Sequence, residues 1–538
     1  MSVGGPGAGP RPADDLERPA DEAGPARSSR RLWAGRAIVL TAVVVAIATL
    51  LAAGGGMTRE YVANSWQILD VDALADDPLG SLWYLHIQPP GYNALVAAIA
   101  WLPVPLIGTL YAVDVAALAG IGLLLHAILV RWGVGPIAAA VVAAITVLNP
   151  SLLSTMAMAS YEVPVGLLIV AALATAQRYL ETRRAAWLLA TAGLLTAGAL
   201  TRSLLHPLWI AAVLALLVIA RPPDRRVLLA SALVPVVFVG GWMLKNQVVF
   251  GTATTSSWLG FNMQRGVTAP MDADLVRADV ADGAVSDLAL ERPWGPLSAY
   301  GEWTAGCTPH GHPVTDEADK EAAGITTANY NHECYLPAYQ EAQRNAVALI
   351  RRHPGEYAAD RMTALELSFV HSTTLHSGRT TWLDTAYSPL LLSIDRDISQ
   401  EGWNLPLFGE PRPFPVTVSL TFAALCAFVL GRGAVAVVRL VRAGWEARAA
   451  WPAPEILWVL VAGTVAVVVL GGDLVEIGEN TRFRSTVDPL LIAFPLGALV
   501  LAVQRRLGRR DGDRGERGSP AAPSAARSGD GAAAAALS

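Results

Sequence analysis

Apolar runs close to twenty residues long recur along this chain with short polar joints between them, and the pattern predicts a bundle of membrane-spanning helices. The runs fall at 33–56, 107–130, 135–149, 162–179, 186–201, 205–220, 227–246, 413–440, 453–472 and 485–504. A shorter apolar stretch at 89–103 reads as a half-helix or interfacial helix, because a full crossing there would break the alternation of the later joints. One long interval, 247–412, lacks a spanning run; helical patterning at 336–352 and 357–371 flanks a His353-Pro354-Gly355 break. An interval of that length is too long for a structureless connector.

Composition fixes the class. Of 538 residues, 53% are hydrophobic and only 16% charged, where a soluble chain carries about 25% charge. The arginine clusters therefore read as topology and not as a nucleic-acid surface. They sit at Arg30/Arg31/Arg36, Arg131, Arg178/Arg183/Arg184, Arg221/Arg225/Arg226, Arg439/Arg442/Arg448 and Arg505/Arg506/Arg509/Arg510. That places both termini in the cytoplasm and segments 57–88 and 247–412 outside. The expected organisation is a disordered tail 1–30, a membrane module 31–246, an outer domain 247–412, terminal helices 413–505 and a disordered tail 506–538. Abundant Ala, Arg, Gly and Pro with little Lys suits a bacterial cytoplasmic (inner) membrane protein.

The residues with chemistry gather on the outer side. Glu60, Asp70, Asp72, Asp76 and Asp77 follow the first run; Asp76 and Asp77 precede Pro78 and read as solvation or helix caps. His86 and Gln88 sit where Pro89 and Pro90 start the half-helix. Glu162 heads an apolar run, where a carboxylate is either functional or a macrodipole partner. Arg202, His206 and Lys245 are basic groups on the side that disfavours cations, which points to an anionic ligand. Ser257 and Trp258 suit sugar contact, or an interfacial anchor. Arg482 and Arg484 lie at the outer mouth of the last run, and guanidinium forks hold phosphate well, with Glu479 placed to orient one of them. Cys307 and Cys334 share the outer segment, an oxidising setting in which they are expected to pair; Cys426 reads as a core residue. His310 and His312 beside Cys307 are a weak metal cue, and no zinc spacing accompanies them.

Tyr84-Leu85-His86-Ile87-Gln88-Pro89-Pro90-Gly91-Tyr92-Asn93, placed after a first span and an acidic loop, resembles the GT-C membrane glycosyltransferases. The string Lys245-Asn246, Phe250-Gly251, Ser256-Ser257-Trp258-Leu259-Gly260-Phe261-Asn262 resembles bacterial relatives of the protein O-mannosyltransferase and lipid A aminoarabinose transferase group. Glu479-Asn480-Thr481-Arg482-Phe483-Arg484 before Pro489 is similar to the family's last outer loop. The resemblance covers roughly 30–505. It implies an all-α module of 10–11 transmembrane helices with a catalytic first outer loop, 57–92. It also implies inverting transfer of a sugar from a polyprenyl-phosphate donor to an extracytoplasmic glycan, lipid or protein.

By that resemblance the base is Asp70, Glu60 or Asp72, the donor phosphate meets Arg482, Arg484, Arg202 and Lys245, and the cavity holds His86, Gln88, Glu162, His206, Ser257, Trp258 and Glu479. A divalent metal, Mg or Mn, fits the family without an assignable ligand set. The family's Asp-Glu pair is replaced here by Met57-Thr58-Arg59-Glu60-Tyr61, so the base stays open. The competing classes are a transporter or flippase of a lipid-linked saccharide and a non-catalytic membrane scaffold. The first would call for internal repeats and mid-membrane ionisable groups; no repeat is found, and the charges cluster at one face.

Overall fold

A computed structural model describes residues 25–52, 54–322, 324–370, 392–398 and 414–517. The chain is an all-α multi-pass membrane protein; among the described residues sheet is confined to two antiparallel pairs, Asp319–Ala322 with Ile325–Ala328 and Ser393–Ile398 with Phe414–Ser419. Among the described residues seven helices are long and apolar enough to cross a membrane: Ser29–Ala52, Leu106–Arg131, Glu162–Thr182, Arg225–Phe250, Leu420–Ala443, Ala453–Asp473 and Asp488–Leu507. The pair Pro136–Val147 and Pro150–Met156, bent by 54°, makes an eighth if counted as one. Pro150 breaks the ladder there and Asn149 caps the second piece, accepting from Ser151 N.

Two of the ten predicted runs are shorter than a full crossing. Ala185–Thr201 has 17 residues and Pro207–Ala220 has 14, about 25 and 21 Å against a hydrocarbon core of about 30 Å. The half-helix is Gly91–Ala100, ten residues and about 15 Å long. Exposed Trp101, Leu102 and Val104 follow it, as befits an interfacial end. The expected tails are partly helical: the first helix starts at Pro25 and the last runs to Arg517, each beyond its apolar stretch. The rest of both tails, and parts of the outer segment, lie outside the described residues.

Side-chain bonds show which joints meet. At one end Tyr179 donates to Arg221 O, and Arg221 Nη2 donates to Trp451 O at 2.8 Å. At the other, Arg484 Nη2 donates to Ser151 Oγ at 3.0 Å and Arg202 Nη1 to Thr486 Oγ1 at 2.6 Å. The arginine-rich joints thus converge at one end, and the acid-bearing loops at the opposite one.

The domain at the loop end is built on the amphipathic helix Leu336–Arg352 and on Pro354–Ser368, broken at His353-Pro354. Leu259–Met263 packs against the first of these at Gly260, where any Cβ would collide with the Tyr339 backbone. Cys307 and Cys334 are disulfide-bonded, closing a span of 27 residues. The strand pair 319–328 locks the first loop in place. Lys320 Nζ donates to Ser65 O at 2.8 Å and also to Ile68 O, and Asp70 Oδ2 accepts from Glu321 N at 2.6 Å.

Candidate active site

A cavity of about 450 Å³ opens where this domain meets the bundle. Its walls have two characters. Leu204, Met243, Val467, Gly471 and Phe483 supply an apolar side, and Trp66, Trp258 and Trp294 an aromatic one. Gln67, Gln88, Arg202, Arg265, Glu476 and Glu479 supply polar groups. A second cavity of about 420 Å³ adjoins it, lined by Glu60, Tyr61, Ser160 and Arg482. Trp66, Gln67 and Glu479 line both and form the partition.

Three π-helical turns surround the larger cavity. Val467 lies in the turn Ala466–Leu470, Arg265 in Gln264–Thr268, and Met243 three residues beyond Val236–Gly240. Such turns insert a residue and re-aim the side chains after it. The last follows Pro235, which has no N–H to donate to the regular ladder. Gly266 lets the second turn lie against the final loop, since a Cβ there would meet Val475 O at 2.7 Å.

The charges form chains. Arg482 Nε donates to Glu162 Oε1 at 2.7 Å and its Nη1 to Glu479 Oε2 at 3.2 Å. Arg202 lies 3.5 Å from the same Glu162 oxygen and stacks over Phe483 at 4.6 Å. With the Gln67 amide turned to suit its neighbours, its oxygen accepts from Arg482 Nη2 at 2.7 Å. Arg265 Nε and Nη2 both reach Glu476 Oε1, at 2.9 and 2.5 Å. Burial pushes the Glu476 carboxyl up, Arg265 opposes that shift, and the Glu479 charge adds to it.

Three buried polar atoms on cavity residues have no hydrogen-bond partner among the described residues. They are Gln88 Oε1, Arg202 Nη2 and Trp294 Nε1. Leaving such groups unpaired costs about 1–3 kcal/mol each; all three belong to residues that line one cavity, and a concave site with polar groups on an apolar wall is the usual place for a ligand. Trp294 is moreover a bulky residue held at φ +63°, a strained backbone state that structures retain mostly at functional positions. Its ring packs on Trp258 and Trp66 at 4.9 and 5.2 Å between centroids.

The predicted residues divide. Gln88, Arg202, His206, Trp258 and Glu479 line the larger cavity, and Glu60, Glu479 and Arg482 the smaller. Glu162 is fully buried behind them as the shared partner of two arginines. His86 and Ser257 do not line the cavity; they brace it. His86 Nε2 faces Asn331 O at 2.9 Å, which only accepts, and Nδ1 faces Ser257 Oγ at 2.7 Å. Burial, with Lys245 nearby, pushes the imidazole down to about 3. The ring is therefore neutral, with its proton on Nε2, and Ser257 donates to Nδ1.

Lys245, expected at the phosphate, instead donates to Leu85 O at 2.6 Å beneath the Trp242 ring. Arg484, also expected there, is sealed in the interior, bonded to Asp488 Oδ1 and Ser368 O at 2.9 Å each. Asp70 caps Val71–Asp76, its Oδ1 accepting from Ala73 N at 2.8 Å while Oδ2 serves the strand pair. Asp72 is exposed in the first turn of that helix. Neither aspartate lines a cavity wall.

Sequence reasoning passed over Gln67, Trp294, Arg265 and Asn331. A cation between the apolar Met263 and Val267 was the available signal for Arg265. Among the described residues no three His, Cys, Asp or Glu side chains gather as metal ligands. Glu162, Glu476 and Glu479 each have an arginine partner. No protein-family model, no curated protein and no solved structure matches this chain.

Proposed function

We propose that this protein is a GT-C-type glycosyltransferase that moves a sugar from a polyprenyl-phosphate donor to an acceptor hydroxyl at the loop end of the bundle. The observation that carries the reading is the larger cavity, which sets Gln67, Gln88, Arg202 and Arg265 between an apolar wall and a tryptophan wall. Such a lining suits an amphiphile. A prenyl chain lies along Leu204, Met243 and Val467, a phosphate meets Arg202 and Arg265, and a sugar stacks on Trp258 and Trp294.

The acceptor enters through the smaller cavity. Its hydroxyl oxygen attacks the anomeric carbon, the bond from that carbon to the phosphate oxygen breaks, and polyprenyl phosphate leaves. The proton passes to Glu479, the carboxylate shared by both cavities; Glu60 at the outer rim is the other acid within reach of that route. No metal enters this scheme.

The test is purified protein in proteoliposomes given a panel of polyprenyl-phosphate sugars and hydroxyl acceptors, with release of polyprenyl phosphate measured. Release that depends on acceptor supports the reading. Donor that crosses the bilayer chemically unchanged would replace it with a flippase.

A further inference from the structure

The arginine-rich end of the bundle carries a cavity of about 370 Å³ that the proposed transfer does not use. Its floor is Trp132 and Trp458, packed edge to face at 5.3 Å, and one wall is Ala498 and Leu501 of the last span. Arg432, Arg439 and Arg505 stand at its mouth with one carboxylate, Glu455. Arg432 donates twice to Glu455, at 2.8 and 2.9 Å, and Arg439 once, at 2.8 Å. Arg505 makes no ion pair among the described residues. The mouth is left with two positive charges in excess.

Depth along the membrane gives those charges their meaning. Arg432 lies 11 residues before the helix end at Ala443, about 16 Å into the span. Beside it, Gly433 allows the spans Leu420–Ala443 and Ala453–Asp473 to touch at Ala462. The Arg432 side chain crosses the Trp458 ring, 5.4 Å from its centroid, and extends toward Glu455 in the first helical turn of its partner. A guanidinium at that depth is costly unless it reaches polar partners at the interface. The result is a groove that is aromatic and aliphatic within the hydrocarbon and cationic at the headgroup level.

We infer that this groove binds an anionic phospholipid of the cytoplasmic leaflet, its phosphate between Arg439 and Arg505 and an acyl chain along Trp132, Trp458 and Leu501. Interspan basic pockets at that level match the charge of such lipids, and the apolar floor distinguishes the occupant from a soluble phosphate. The site is independent of the chemistry at the opposite end.

The test is native mass spectrometry of the full chain released from nanodiscs containing phosphatidylglycerol and phosphatidylcholine. Wild-type protein should retain phosphatidylglycerol at least about fivefold over phosphatidylcholine. The double substitution Arg439→Gln, Arg505→Gln, in exposed side chains, should abolish that preference. Glu455→Gln removes the competing carboxylate and should raise retention. Equal retention of the two lipids by wild type, or unchanged preference in the double variant, would overturn the inference. Displacement by millimolar glycerol phosphate would overturn the lipid assignment in favour of a soluble phosphate.

Discussion

Arg482 and Glu162 are 320 residues apart in sequence, yet the Nε of one donates to Oε1 of the other at 2.7 Å inside the protein. The pair joins the last loop to the head of a central span and holds Arg482 in the wall of the smaller cavity. Removing one member leaves a buried charge without its main partner. Arg482→Met should lower stability by about 3–5 kcal/mol. Adding Glu162→Gln should recover a good part of that. Melting temperatures of the two single variants and the double variant in detergent give the coupling, and strict additivity would show that the bond is dispensable.

Gln88→Leu addresses the unpaired atoms. Gln88 Oε1 has no partner to lose among the described residues, so the change should leave thermal stability equal or slightly higher. If the atom serves a ligand, donor affinity should fall about five- to tenfold. Calorimetric titration with a short-chain polyprenyl-phosphate sugar measures it. Falling stability with unchanged affinity would assign Gln88 to the scaffold.

Three carboxylates compete as base, and isosteric amides separate them. Glu479→Gln should reduce turnover on the order of 10²-fold or more while donor binding persists. Asp70→Asn keeps the cap, since an Asn oxygen serves there equally well, but gives up the bond from Glu321 N at a cost of about 1 kcal/mol, and should leave turnover close to wild type. Glu60→Gln should have an intermediate effect through the rim of the smaller cavity. Single-turnover rates rank the three; a silent Glu479→Gln beside an inactive Glu60→Gln would move the role to Glu60.

Acid should loosen the His86 brace. The imidazole titrates at about 3 in the folded chain against an ordinary value of 6.5. The unfolded chain therefore takes up the proton first as pH falls. The stabilisation is full above about 6.5 and is lost progressively down to about 3, on the order of a few kcal/mol in all. His86→Gln keeps a donor and an acceptor without titrating, so its melting temperature should vary less between pH 7 and 4 than that of wild type.

The bond between Cys307 and Cys334 closes a loop of 27 residues. Replacing both by Ser should cost about 2–4 kcal/mol and lower the melting temperature. Reductant should do the same to wild type and nothing further to the double variant.

Much of the bundle was legible because one signal dominates it: an apolar run bounded by arginine or proline has few alternatives in a membrane. The break at His353-Pro354 and the half-length of Gly91–Ala100 followed from the same local rules. The site was legible only as a list of polar residues on the correct end. Which of them face the cavity depends on π turns and long-range bonds that leave no periodic trace. Arg482 and Arg484 show this: two positions apart in one short helix, one reaches a cavity wall and the other the interior. Lys245 and His86 looked like ligand groups because charge and imidazole are rare there, but their partners are backbone carbonyls at Leu85 and Asn331.

The fastening of the first loop also orders events during synthesis. His86 N waits for the side chain of Asn331, 245 residues later; at ordinary elongation rates that is an interval of about 12–50 s. The Lys320 anchor on Ser65 and Ile68 arrives only shortly before it. Throughout that time the first loop lacks its fastening, and for most of it the wall contributed by Trp294 does not yet exist. The larger cavity thus closes late, after most of the bundle has been synthesised, and a chain truncated before the strand pair would lack that closure.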